Sequence, residues 1–312
     1  MIQKEIINFV AERTGIKKLS YIEKDLILHR LLVELSLDKQ FSKNYAFKGG
    51  TCLMKCYFGY YRFSEDLDFT YINQQEWNNK SENQKRRIIS EKINEISKSI
   101  KVIADRIGLD FKPEKDNRRY FLFGGSNKQV TFNLWYVSEG ELKETFIKIQ
   151  INFVDKLFYP VKMLHANNIF FGKYEDFEKG AFLLPKNSEW LLKIPKLKVY
   201  AIKEILVEKV RAILTRKGIK SRDFIDVFMI IKNKKIKLES LKERIIVKTK
   251  LMQKMYGKYA SNIENKSFDK IDGLILRDEK NLLIKDIPEG SESFLGQLIE
   301  FLNKLIEELK VR

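Results

Sequence analysis

An apolar, strand-like run ends at Phe47-Lys48 and passes directly into Gly49-Gly50-Thr51, and a second such run opens with Asp66-Leu67-Asp68-Phe69. In a strand the side-chain period is two, so Asp66 and Asp68 project from one face and Leu67 and Phe69 from the other. A chain with this pattern is constrained to a sheet with one apolar face and two carboxylates crowded on the other. Adjacent like charges raise each other's proton affinity, so keeping both ionised calls for a cation, and hard oxygen ligands suit Mg²⁺ or Mn²⁺. The glycines let backbone N–H groups approach an anion. The helix expected after them, through Met54 to Phe58, offers its positive dipole end to the same anion. Each feature alone has a plainer reading, a turn for the glycines and a solvated strand end for the aspartates. Together they point to phosphate and metal in one pocket, with Asp66 and Asp68 as metal ligands.

The surrounding pattern is that of a mixed α and β protein. Two amphipathic helices are expected over Ile2 to Glu12 and from Ser20 to about Lys39, leading into the strand that ends at Lys48. After the Asp66 strand, a polar loop around Asn78 to Asn83 precedes a long helix in which Ile89, Ile93, Ile96, Ile100 and Ile103 recur at helical steps, a stripe that marks core. Tyr120 to Phe123, Val130 to Val137 and Phe146 to Phe153 read as a meander joining the Asp66 strand in one sheet. Pro160, Gly172, Gly180, Pro185 and Pro195 punctuate a less regular stretch, read as the passage between two lobes. From Tyr200 onward the pattern is helical, ending in a helix from Ser291 with Phe294, Leu298, Phe301, Leu305 and Leu309 on one stripe. The expected fold is therefore α+β and bilobed, with a mixed-sheet lobe over 1–195 and a mainly helical lobe over 196–312. A chain of 312 residues has the length for two lobes.

Charge and cysteine content narrow the class. Lys and Arg number 59 against 42 Asp and Glu, a formal charge of +17, which favours polyanionic partners although lysine-rich usage has other origins. The two cysteines, Cys52 and Cys56, share one face of the glycine helix and exclude a disulfide framework; with His29 and His165 as the two histidines, a zinc site is not expected. No signal-peptide core or membrane-spanning run is present, so a reducing cytoplasm is the expected location.

A second charged cluster lies in the helical half. In the helix Ala201 to Arg216, Leu206, Val210 and Ile213 make a buried stripe, while Lys209 and Arg216, two turns apart, point one way. Ser221 is placed to cap the next helix, whose first turn holds Asp223, with Asp226 one turn on along the same face. Asp223 near a helix start is ordinary dipole complementarity. Asp226 is different, because the apolar run Val227-Phe228-Met229-Ile230-Ile231 follows it directly, and a carboxylate at the edge of such a run wants a cation.

Glu23-Lys24-Asp25, Phe47-Lys48-Gly49-Gly50-Thr51, Arg62-Phe63-Ser64-Glu65-Asp66-Leu67-Asp68, Glu208-Lys209 with Ala212 and Arg216, and Arg222-Asp223 with Asp226 together resemble the AbiEii/AbiGii nucleotidyltransferase toxins, within the DNA-polymerase-β-like superfamily. The resemblance implies a bilobed enzyme that takes NTP, the toxin of a two-gene toxin–antitoxin system, with an antitoxin protein as partner. It also implies RNA, such as the tRNA 3′ end, as nucleotide acceptor, and no membrane. Asp66, Asp68, Lys209 and Asp226 are then the catalytic candidates, with Gly49, Gly50, Thr51, Lys48, Arg62, Ser64 and Arg216 at the nucleotide. One departure stands out. The superfamily often supplies a third carboxylate from a neighbouring strand, whereas Ile147 to Phe153 carries Gln150 and Asn152. Two aspartates suffice, or Asp155 or Asp226 completes the site. The alternatives are a catalytically impaired module that binds NTP or RNA, and transfer to a protein or a small molecule.

Overall fold

The computed structural model describes residues 2–169, 188–268, 283–285 and 290–310. Two compact units are present: residues 1–155 with 161–200, and residues 156–160 with 201–312.

The first unit opens with helices α1 (Lys4–Thr14), α2 (Leu19–Leu37) and α3 (Lys39–Asn44). The second helix ends close to its expected end at about Lys39, and the short α3 after it was not expected: Asp38 adopts an extended conformation and its carboxylate accepts the Phe41 amide as the N-cap of α3. Strand β1 (Tyr45–Lys48) then runs into α4 (Gly49–Leu53), which continues as a π-helical turn over Met54–Phe58. Strand β2 (Asp66–Tyr71) follows, and α5 (Glu82–Ile107) starts at a reciprocal cap in which the Ser81 hydroxyl takes the Gln84 amide and the Gln84 side chain takes the Ser81 amide. All five isoleucines of its expected stripe are buried, each side chain contributing about 1.5–3 kcal/mol of transfer free energy.

Strands β3 (Phe121–Gly124), β4 (Gln129–Val137) and β5 (Glu144–Asn152) form the expected meander. Strands β6 (Lys162–His165) and β7 (Lys196–Val199) complete a sheet of order β3-β4-β5-β2-β1-β7-β6. The pairing β2–β5 and β1–β7 is parallel and the rest antiparallel, so the sheet is mixed as expected. The last two strands correct the reading of residues 160 to 195 as an irregular passage: β7 lies beside β1 in the same sheet, and Pro195 gives its carbonyl to the Ala166 amide next to the β6–β7 pair. Gly172, Gly180 and Pro185 lie outside the described residues.

Sheet register creates two chemically distinct faces. Leu67, Phe69, Val130, Phe132, Leu134, Ile147, Ile149 and Ile151 are buried on the apolar one. On the other, Lys48, Asp68, Gln150 and Thr131 stand in one row across four strands, and Asp66, Lys148 and Asn133 in the next.

The second unit is helical: α6 (Ile202–Thr215), α7 (Ser221–Lys234), α8 (Lys242–Met255), α9 (Lys258–Glu264) and α10 (Ser291–Lys310). Leu206, Val210 and Ile213 of α6 are buried, as are Leu298, Phe301, Leu305 and Leu309 of α10. A buried ion pair ties α6 to α8, with the Lys248 ammonium 2.6 Å from Glu204 and 3.3 Å from Glu208. The other Glu204 oxygen accepts the amides of Phe158 and Tyr159 at 2.8 and 3.1 Å, which fixes residues 156–160 to this unit. Among the described residues no helix is long and apolar enough to cross a membrane.

Candidate active site

The glycine turn and the aspartate strand meet without a spare ångström. Gly49 has φ +77°, a left-handed conformation that costs a side-chain-bearing residue roughly 1–2 kcal/mol. A Cβ built there would overlap the Asp68 carboxylate, lying only 3.0 Å from its Cγ. A Cβ on Gly50 would overlap the Arg62 guanidinium and lie 3.3 Å from the Ser64 hydroxyl. Both glycines are therefore needed for the close approach of the turn to β2 and to the segment before it. Thr51 is buried, and its hydroxyl donates to the Asp66 carbonyl at 2.5 Å while lying 2.9 Å from the Ser64 hydroxyl. It thus ties α4 to the start of β2.

Asp66 and Asp68 are half-buried on one strand face, with buried Leu67 between them. The negative charge of Asp68 reaches the next turn of α4, where the Cys52 thiol is pushed well above its ordinary range. Burial is the main cause, followed by its contact with Cys56 and then the Cys56 and Asp68 charges. Both cysteines are free thiols.

The remaining candidates of this unit occupy specific supporting places. Lys48, beside Asp68 across the β1–β2 register, is buried, with its ammonium 3.6 Å from Asp155 and 5.3 Å from the Tyr200 ring centroid. Tyr200 donates its hydroxyl to the same Asp155 at 2.8 Å. Arg62 is buried, donating to the Phe63 carbonyl at 2.7 Å under the glycine turn. In the strand next to β2, the residue paired with Asp68 is Gln150 and the residue paired with Asp66 is Lys148.

Beneath the turn lies a polar cluster that local sequence reasoning did not connect. Lys55, on the π-helical turn, is fully buried with its ammonium 2.8 Å from Asp25, and the Tyr60 hydroxyl lies 2.5 Å from Lys55 and 2.9 Å from Asp25. The signal in the sequence was Asp25, an acid at the edge of the apolar run Leu26-Ile27-Leu28 in α2.

In the helical unit, the Lys209 ammonium lies 2.6 Å from Asp226 and 3.0 Å from Asp223, and the Arg216 guanidinium contacts the second oxygen of Asp223. Both carboxylates are buried, Lys209 is 12% exposed and Arg216 38%. The seven-residue spacing thus brings Lys209 and Arg216 to the same acid. Ser221 does not cap α7: it is already its first residue, extended Lys220 precedes it as N-cap, and the Lys220 carbonyl accepts the Asp223 amide.

Among the described residues no group of three or more His, Cys, Asp or Glu is arranged to hold a metal. Two carboxylates still fit Mg²⁺, which dehydrates reluctantly and is commonly held by one or two carboxylates plus substrate phosphates.

A mixed sheet with a glycine turn against an aspartate pair, followed by a helical unit with a lysine–aspartate cluster, defines a nucleotidyltransferase-type α+β protein. Residues 30–307 match the family model described as nucleotidyl transferase AbiEii toxin, type IV TA system, and the chain belongs to that family. No curated protein matches. Similar solved structures are that of JHP933 from Helicobacter pylori, with 16% identity, a TM-score of 0.42 and 99% of this chain and 96% of that chain covered, and that of a putative nucleotidyltransferase from H. pylori, with 16% identity, a TM-score of 0.40 and both chains covered in full.

Proposed function

We propose that this nucleotidyltransferase is metal-dependent and moves NMP from NTP to an RNA acceptor such as the tRNA 3′ end, acting as the toxin of a two-gene system neutralised by a cognate antitoxin. The supporting observation is the fit of Gly49 against Asp68, which sets a glycine turn at a helix start against a paired carboxylate. In the reaction the acceptor hydroxyl oxygen bonds to the α-phosphorus, the bond from that phosphorus to the β-phosphate oxygen breaks, and pyrophosphate leaves. Asp66 and Asp68 would hold Mg²⁺ or Mn²⁺, which when bound neutralises triphosphate oxygens and lowers the proton affinity of the attacking hydroxyl.

The chain's own groups do the positioning on which phosphoryl chemistry depends. Gly49 and Gly50 are the proposed backbone contacts for phosphate oxygens, and Thr51 and Ser64 hold the turn against β2. Within the helical unit Asp226 and Asp223 hold the Lys209 ammonium and Asp223 holds the Arg216 guanidinium, and the family resemblance makes these two the candidate cations for triphosphate oxygens. Lys48 and Arg62 brace the turn from below.

Incubation with each of the four radiolabelled NTPs and total RNA tests this reading, incorporation into RNA being the expected result. Gln150 beside Asp68, where a third carboxylate is common, supports one alternative, a module that binds NTP or RNA without transferring. Metal-dependent NTP binding with no incorporation into RNA, protein or small molecules would establish that alternative.

A further inference from the structure

The polar face of the sheet does not end at the aspartates. Along β5, two residues before Lys148, the same face carries Phe146, and the residue paired with Phe146 on β4 is Trp135. Their ring centroids are 4.5 Å apart and both side chains are half-buried. Strand spacing and rise put the Phe146 Cα about 8 Å from that of Asp66, the scale on which a base and its own phosphate are separated.

The pair is built for more than packing. The Trp135 indole N–H is spent on the Arg119 carbonyl at 2.9 Å, which fixes the ring plane. The Arg119 guanidinium lies 4.2 Å from the Trp135 centroid and is itself held by Glu144 and Asp110. The Lys148 ammonium lies 5.4 Å from the Phe146 centroid, and Lys148 is the residue paired with Asp66. Beside them Asn133 is 4% exposed, gives its amide N–H to the Arg119 carbonyl, and has a buried carbonyl oxygen with no hydrogen-bond partner. Partly exposed aromatics with cations at their faces form the chemistry that stacks a nucleobase.

Resting on the nucleotidyl-transfer reading, we infer that Phe146 and Trp135 form a base-stacking platform adjoining the aspartate pair, with Lys148 contacting a phosphate of the stacked nucleotide. The ligand is a nucleobase, carried either by the incoming NTP or by the terminal nucleotide of the RNA acceptor.

The test is equilibrium binding of the full-length protein to each NTP without acceptor, to a single-stranded RNA oligonucleotide without NTP, and to inorganic tripolyphosphate, comparing wild type with Phe146→Leu, Trp135→Leu and the conservative Phe146→Tyr. Stacking is worth enough per base that the leucine variants should lose affinity about tenfold for one nucleobase ligand. Phe146→Tyr should retain affinity, and tripolyphosphate binding should be unchanged. Loss confined to NTP assigns the platform to the donor base, and loss confined to RNA assigns it to the acceptor. Equal binding by wild type and leucine variants, or a parallel loss for tripolyphosphate, overturns the proposal. Should the leucine variants fail to fold, quenching of indole fluorescence replaces them. Trp77 and Trp190 are buried, so a base-dependent quench that disappears in Trp135→Phe supports the platform, and binding without quench refutes it. A wild type that binds these ligands but transfers nothing would overturn the transfer reading and leave the stacking result standing.

Discussion

The Asp68 carboxylate fills the space beside the Gly49 α-carbon that the Cβ of any other residue would claim. This contact couples two requirements that the sequence presents separately, a left-handed backbone at position 49 and a carboxylate directed at it from β2. The same turn is held from the other side by Arg62 under Gly50.

Replacing Gly49 with alanine therefore disturbs backbone and carboxylate together. Gly49→Ala pays roughly 1–2 kcal/mol for φ +77° and displaces Asp68, so a melting temperature lower by a few degrees should accompany at least a tenfold loss in kcat/KM for nucleotide incorporation. Wild-type incorporation in this variant would show that Asp68 does not need its observed position.

Removal of divalent ions separates chemistry from folding. Two carboxylates on an otherwise packed strand are not a folding nucleus, so EDTA should abolish labelling of RNA while leaving the far-ultraviolet circular dichroism intact. Added Mg²⁺ or Mn²⁺ should restore labelling. Full activity in EDTA would contradict a metal role for Asp66 and Asp68.

In the helical unit Lys209 sits between two buried carboxylates. Asp226→Asn should lower unfolding free energy by roughly 2–4 kcal/mol in urea titrations, because a buried charge pair loses one member. The loss of activity in this variant should exceed what the unfolded fraction explains. Asp223→Asn should act more widely, since both Lys209 and Arg216 depend on it. Unaltered stability in both variants would show that the cluster is not the anchor its distances indicate.

Stability should also report on His29. Burial first and the Lys55 charge second lower its pKa from 6.5 to about 3, while its bond to the Lys193 carbonyl opposes the shift. The unfolded chain takes up a proton below pH 6.5 and the folded chain does not, so stability present at neutral pH is lost as pH falls towards 3. The slope is ~1.4 kcal/mol per pH unit, roughly 2 kcal/mol between pH 6.5 and 5. Urea titrations should show a steeper dependence over that interval in wild type than in His29→Gln; identical slopes would rule the effect out.

Local patterns were the legible part of this molecule. Period-two alternation placed Asp66 and Asp68 on one face, and helical spacing identified the isoleucine stripe of α5 and the shared direction of Lys209 and Arg216. What could not be read depends on residues distant in sequence. Strands β6 and β7 are four residues each and closely follow Pro160 and Pro195, so they carry little pattern until β1 pairs with β7. The Lys48–Asp155–Tyr200 and Lys55–Asp25–Tyr60 clusters join segments with no common periodicity. Trp135 and Phe146 each read as ordinary strand residues, and only the β4–β5 register makes them a pair. Helix α3 is six residues long and capped by Asp38, too short to show a helical period of its own.

Incorporation of radiolabelled NMP into RNA by folded Asp68→Ala protein, set beside wild type and Lys209→Ala, bears on the centre of the mechanism most directly. The proposed divalent site on Asp66 and Asp68 predicts labelling by wild type and none by Asp68→Ala, and the proposed role of Lys209 predicts none by Lys209→Ala. Retained labelling by Asp68→Ala, with its fold intact, would contradict it.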